Sequence, residues 1–272
     1  MNTFLITPRE MGGSLWRNRE LIYALIKREV SSRYRGSALG FFWSFFNPVC
    51  MLMIYTFVFS VVFKARWGSG SDSKAEFALV LFAGLIVFNL FSECINRAPS
   101  IILANVNYVK KVVFPLEILP WVTLGTAFFQ ASMSFGVWLL FYLVIFGIPH
   151  ATLVLLPVVL LPLLFLTMGF CWFLASLGVY LRDIGQMMSI ITTVLMFLSP
   201  IFYPVSSLPV EYRHFLLLNP LTPAIEGVRD VLFWGSLPSI AMYGIYLTIS
   251  IIFSWAGFVW FQKSRKGFAD VL

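Results

Sequence analysis

Two adjacent lysines, Lys110 and Lys111, and two isolated carboxylates, Glu93 and Glu117, stand out because nearly everything around them is apolar. A carboxylate inside an apolar span can carry a proton or bind a cation, and it is costly enough there to mark a functional position. Arg97 follows Glu93 by four residues, one helical turn away, so a local ion pair accounts for that acid without any chemistry. Glu93 and Glu117 also both fall at the edges of apolar runs. Gradient-driven transport therefore lacks its usual residues.

Other chemistries are missing as well. There is no H-E-x-x-H motif and no Gly-Lys dipeptide, so the chain has no Walker A loop with which to bind ATP. Cys50, Cys94 and Cys171 lie singly in or beside apolar runs and read as buried thiols, while His150 and His214 are too far apart to suggest a metal site. An intramembrane transferase acting on lipid-linked sugar would need clustered acids and arginines at the interface, and the acids here are scattered. No cofactor is expected in this chain, and any energy for transport must come from a partner.

The elements that position these residues follow from composition. Of 272 residues, 60% are hydrophobic and only 11% charged, well below the roughly 25% of a soluble domain. The chain reads as an all-α integral membrane protein. A hydrocarbon core of about 30 Å needs about 20 uncharged residues in a helix. Six spans are expected: Phe41 to Phe63, Phe77 to about Ile95, two within the uncharged run Ile118 to Leu181 divided at Gly147-Ile148-Pro149-His150, then about Met187 to Tyr203, and Ser239 to Phe261. No cleavable signal peptide is evident, since the first 40 residues lack a continuous apolar stretch.

Fourteen of the 19 Lys and Arg residues fall on one side of this arrangement and five on the other, which places both termini in the cytoplasm by the positive-inside rule. The net charge of +7 is thus a topology signal, and no nucleic-acid partner is expected. The chain divides into a cytoplasmic amphipathic segment, 1–40, a six-span domain, 41–262, and a short tail, 263–272. Residues 15–30 place Leu15, Ile22, Leu25 and Ile26 on one helical face with Arg17, Glu20, Lys27 and Arg28 opposite, as in a helix lying on the inner leaflet. Residues 204–238 are too broken by prolines to span, and their short apolar pieces suit half-membrane or interfacial helices on the outer side.

A soluble motor pushing on such a chain finds few cytoplasmic elements. These are the N-terminal helix with Arg33, Tyr34 and Arg35, the loop holding Asn107, Lys110 and Lys111 before Pro115, and the Arg182-Asp183 turn. Pro115 stops the loop from merging into the next span. From the residues alone, the lysine pair is equally a docking site or a plain positive-inside anchor.

The strings YRGSALGFFWSFFNP, NYVKKVVFPLEILP, LSPIFYPVSSLP and LNPLTPAIEGVRD resemble, in order and spacing, the membrane subunit of type-2 ABC exporters of polysaccharides. The resemblance is greatest to O-antigen export permeases, with capsule and teichoic acid permeases as near relatives, and it covers the chain from about residue 20. It implies a homodimeric pore in the bacterial inner membrane with two separate ATPase subunits that bind ATP and Mg. The implied cargo is a long glycan carried on undecaprenyl pyrophosphate.

Residue by residue, the resemblance implies that 15–35 is the interface helix, 105–115 the coupling helix, and 204–234 outer re-entrant helices between spans five and six. It weights Lys110 and Lys111 toward ATPase docking, and it makes Tyr55, Phe59, Phe197 and Tyr203 candidates for aromatic faces along the glycan channel. Arg33, Arg35 and Arg97 are candidates for receiving the lipid pyrophosphate. If they do receive it, reversing the charges of Arg33 and Arg35 lowers export measured as surface glycan; unchanged export removes that role.

Overall fold

The computed structural model describes residues 7–37, 39–58, 67, 74–110 and 114–272. Among these residues the chain forms helices and turns and no strand. That is the economical solution in hydrocarbon, where a helix bonds its backbone polar groups within one segment.

Two helices precede the membrane domain, α1 (Pro8–Arg17) and α2 (Arg19–Tyr34). The single amphipathic helix expected over 15–30 is broken at Asn18, whose φ of −104° and ψ of 16° leave the helical region. The Asn18 side chain also donates back to the Ser14 carbonyl at 2.8 Å. Ile22 and Leu25 of α2 are buried against Ile118 and Val122, with Leu15 and Ile26 beside them, so the apolar face is covered by the chain itself.

Five segments are long and apolar enough to cross a membrane: Gly40–Val58, Ala75–Ser100, Leu116–Phe146, Ala151–Tyr180 and Ile240–Val271. Their regular helices are α3 (Trp43–Tyr55), α4 (Lys74–Arg97), then, after the short α5 (Val106–Lys110), α6 (Leu119–Phe146) and α7 (Leu156–Tyr180). The break expected at 147–150 is present, with Gly147 at φ 82° ending α6. Helix α8 (Ile184–Leu198) occupies most of the fifth expected span but stops where Ser199 turns extended and Pro200 has no N–H to continue. Its 15 residues reach only about 22 Å, short of the roughly 30 Å core. Five segments, not six, therefore have full crossing length among the described residues.

Between α8 and the last span lie α9 (Val210–Leu218), α10 (Thr222–Arg229) and a π turn at Asp230–Trp234. Helix α11 (Ile240–Ser264) and the short α12 (Phe268–Val271) complete the chain. Helix α4 is the axis of the bundle and touches α3, α6, α7, α8 and α10. In its most apolar stretch 78% of residues are buried, against 17% in the Gly40–Val58 segment, so α3 lies at the rim with an open face. Both N-terminal helices, α5 and α12 gather at one end of the bundle, called here the terminal end.

Helices α7 and α11 pack along much of their length. They meet where Gly257 faces the Gly169 backbone, leaving no room for a side-chain carbon on either glycine. Small residues at such a crossing let two backbones approach without a hydrophobic drive from the lipid. Two buried tryptophans bond their indole N–H groups across the bundle, Trp138 to the Leu79 carbonyl at 2.9 Å and Trp172 to the Glu117 carbonyl at 3.1 Å.

The crossing predicts that Gly257→Ala destabilises the purified protein by about 1–3 kcal/mol through overpacking. Gly244→Ala, on the same helix with open space around it, leaves thermal unfolding in detergent near that of the parent.

Candidate functional site

Three helical faces enclose a polar groove with a volume of about 560 Å³. Helix α3 presents Trp43, Asn47, Met51 and Tyr55 at every fourth residue. Helix α4 presents Asn89, Ser92, Glu93 and Asn96, and α6 adds Gln130 and Ser134. Spacings of three and four place each set on one helical face. Amides, hydroxyls and aromatic rings thus concentrate in an otherwise apolar bundle. The Tyr34 hydroxyl closes one corner by donating to Gln130 Oε1 at 3.0 Å, and Thr192 of α8 donates to Asn96 Oδ1 at 3.2 Å.

At the groove's terminal end lies a network of four charges. Arg33 Nη2 bonds Glu93 Oε1 at 2.5 Å, Arg97 lies 3.6 Å from the same carboxylate, and Arg97 also pairs with Glu29. Arg97 further donates to Thr126 Oγ1 at 3.0 Å, reaching α6. The expected Glu93–Arg97 pair is therefore half of a larger arrangement that fastens α2 to α4. All four side chains are 23–38% exposed, so solvent moderates each pair without dissolving the network.

A second cluster ties both termini to the loop before α6. Glu117, 10% exposed at its side chain, accepts from Arg265 Nη1 at 2.6 Å and from the Ser14 hydroxyl at 3.2 Å. Arg265 also donates to the Phe114 carbonyl at 2.8 Å. Phe114 stacks on Tyr108 of α5 with ring centroids 4.3 Å apart, and Arg28 of α2 donates to the Tyr108 hydroxyl. Helix α5 is thus held from three sides: by α2, by Phe114, and by contact with α12. Beyond the clasp, the Glu10 carboxylate bonded to Arg17 holds that guanidinium's pKa above its ordinary value.

The far end of α4 is anchored by Arg229. Its guanidinium is 1% exposed and donates to the carbonyls of Val80 at 3.1 Å, Pro200 at 2.5 Å and Ile201 at 2.9 Å, and to Glu226 at 2.9 Å. The Trp67 ring covers it at 4.2 Å, and Gly84 leaves the space it fills. One cation therefore joins α4, the turn after α8, and α10.

The expected residues distribute as follows. Arg33, Tyr34, Tyr55 and Glu93 line the groove, and Arg97 braces it from behind. Arg35 is exposed at the end of α2, Asn107 and Lys110 are exposed on α5, Pro115 is half-buried, and Arg182 and Asp183 are exposed at the α7–α8 turn. Phe197 is exposed on α8, and Tyr203 donates to its carbonyl at 3.2 Å, away from the groove-lining residues. Lys111 and Phe59 lie outside the described residues.

Sequence reasoning gave Arg229 no role of its own and did not pair Glu117 with Arg265. It also passed over Asn47, Asn89, Asn96 and Gln130. Their signal was present as amides recurring on the Glu93 face and as a lone glutamine in the uncharged run 118–181.

A polar groove inside an apolar helical bundle, with paired charges at its terminal end, suits a membrane protein that handles a polar molecule. The chain belongs to the ABC-2 type transporter family, whose model matches residues 20–233. It is similar to the O-antigen export system permease protein RfbA of Myxococcus xanthus, 29% identical over 94% of this chain and 96% of that protein. It is also similar to the RfbA protein of Klebsiella pneumoniae, 24% identical over 93% and 95%. The polysialic acid transport protein KpsM of Escherichia coli is 26% identical over 79% of this chain and 81% of that protein.

The Glu117 clasp predicts that Glu117→Gln, which leaves Arg265 without its anion, lowers stability by about 3–5 kcal/mol. Glu117→Gln combined with Arg265→Met recovers part of that loss, read as midpoints of thermal aggregation in detergent.

Proposed function

We propose that this chain is the pore-forming subunit of an ATP-driven polysaccharide exporter in a bacterial inner membrane. Its cargo in this reading is a glycan on an undecaprenyl pyrophosphate carrier, O-antigen first among the choices. Two copies form the pore and each engages a separate ATPase subunit, which supplies ATP and Mg chemistry. The chain itself carries out no catalysis. In this topology α8 is a sixth, shortened crossing, both termini are cytoplasmic, and α9, α10 and the 230–234 turn re-enter from the outer side.

The observation that carries the proposal is the groove's surface. A sugar chain is wide, hydroxyl-rich and weakly charged, so its path needs many modest polar contacts and flat rings. Asn47, Asn89, Asn96, Gln130 and Ser134 supply the first, and Trp43, Tyr34 and Tyr55 the second. The carboxylates that a proton-coupled transporter would need are instead held by arginines, Glu93 by Arg33 and Arg97, and Glu117 by Arg265.

In this reading α5, with Asn107 and Lys110, is the ATPase contact, supported by Arg182, Asp183, Lys111 and the end of α2. Motion imposed there reaches the groove through α2, because Arg33 and Tyr34 are both groove wall and helix end. The test is a mild-detergent pull-down from native membranes with the co-purifying chains identified and weighed. A Walker A-containing partner at one-to-one stoichiometry is expected, and Lys110→Glu with Lys111→Glu weakens its association. A self-oligomer without an ATPase, under conditions that preserve related complexes, overturns the proposal.

A further inference from the structure

Helix α5 has five residues, well below the roughly 12–15 under which an isolated helix is marginal in water. Its position must therefore come from what it packs against. Arg28 of α2 and the ring of Phe114 hold it through Tyr108. The third support is the segment that follows α11.

That segment is one tight turn, Arg265–Gly267, leading into α12. Arg265 donates to the Phe114 carbonyl at 2.8 Å and to Glu117 at 2.6 Å, so the turn begins beside the residue that stacks on α5. Phe268 is fully buried, its ring 5.6 Å from that of Phe261 and 6.1 Å from that of Tyr180. The Tyr180 hydroxyl donates to the Ser264 carbonyl at 2.9 Å. A side-chain carbon on Gly267 would stand 2.7 Å from that hydroxyl, so the turn lies flush against the end of α7. Helix α12 touches both α5 and α7.

Tyr180 is the last residue of α7, two before Arg182. Residues 265–271 thus connect α5 to the base of the α7–α8 turn. We infer that they are a brace that holds α5 and that turn as one platform, so that a push from the ATPase moves both together. This inference rests on the reading of those two surfaces as the ATPase contact. A five-residue helix without backing would yield under load, and the stroke would be lost at the surface. Gly267, Phe268 and Tyr180 are then positioning residues that act through α5 and α7.

The experiment uses the complete complex in proteoliposomes and compares the parent with Gly267→Ala and Phe268→Ala. Gly267 has φ −93° and ψ −1°, outside the left-handed region, so the Tyr180 hydroxyl is what obstructs an added methyl. Either the turn or the Tyr180 ring must move, and both open the contact. Adding Tyr180→Phe removes the obstruction and leaves the nearest ring carbon at 3.8 Å, an ordinary contact distance. Spin labels on cysteines placed at the exposed positions Ala104 and Leu181, with Cys50→Ser, report the distance between the start of α5 and the end of α7.

The distance distribution is expected to be narrow in the parent and to broaden in both single variants. ATP hydrolysis persists in them while glycan exported per ATP falls several-fold. Tyr180→Phe in the Gly267→Ala chain restores the narrow distribution and most of the export. ATPase association that is lost in Gly267→Ala and regained with Tyr180→Phe is the same positioning read one step earlier, and supports the inference.

An unchanged ratio of export to ATP in either single variant overturns it. So does a lowered ratio without broadening, or a double variant that recovers nothing. Lys110→Glu with Lys111→Glu is assayed for ATPase association in parallel. Weakened association there, with unchanged ratios in the brace variants, leaves the ATPase contact standing and removes only the brace. Intact association there removes the contact reading, and the inference with it.

Discussion

The bundle depends on a charge-balanced joint in which Glu29 and Arg33 of α2 meet Glu93 and Arg97 of α4. Charges near hydrocarbon are tolerated when they are matched, and at 23–38% exposure solvent lowers, without abolishing, the cost of stranding one partner. Two acids and two arginines in alternation satisfy that condition and leave the joint neutral. The joint holds the last turns of α2 against α4, and Tyr34, next to Arg33, donates to Gln130 at the edge of the groove.

The opposite end of α4 is fixed by other means. Arg229 spends its donors mainly on backbone carbonyls, which hold a cation without requiring a second full charge for each bond. Helix α4 is thus pinned at both ends, and the groove between the pins has walls that are polar but, beyond the joint, uncharged. Those walls suit the proposed cargo. A processive sugar chain must be held at many points and strongly at none, since tight binding of any one unit would stall the next.

Much of this was legible from local pattern. Long uncharged runs predicted the spans, and Gly147 the hairpin, because hydropathy and glycine backbone freedom act over a few residues. Glu93 with Arg97 was legible for the same reason. The partners that sequence reasoning missed are distant: Glu29 and Arg33 for that pair, Arg265 for Glu117, and Val80 for Arg229. The α8 span was read too long because apolar residues continue to Tyr203, while backbone geometry ends the helix at Leu198. The groove amides were readable as a helical stripe, but only the packing of α3, α4 and α6 reveals that they face one space.

In the proposed reading, the α2–α4 joint transmits work from the ATPase contact to the groove. It is tested most directly by the ratio of glycan exported to ATP hydrolysed in proteoliposomes containing the complete complex. In Glu93→Gln, hydrolysis should persist while export per ATP falls about tenfold or more, in the range of ordinary inter-site coupling of about 1–3 kcal/mol. An unchanged ratio in a variant that assembles normally would contradict the account.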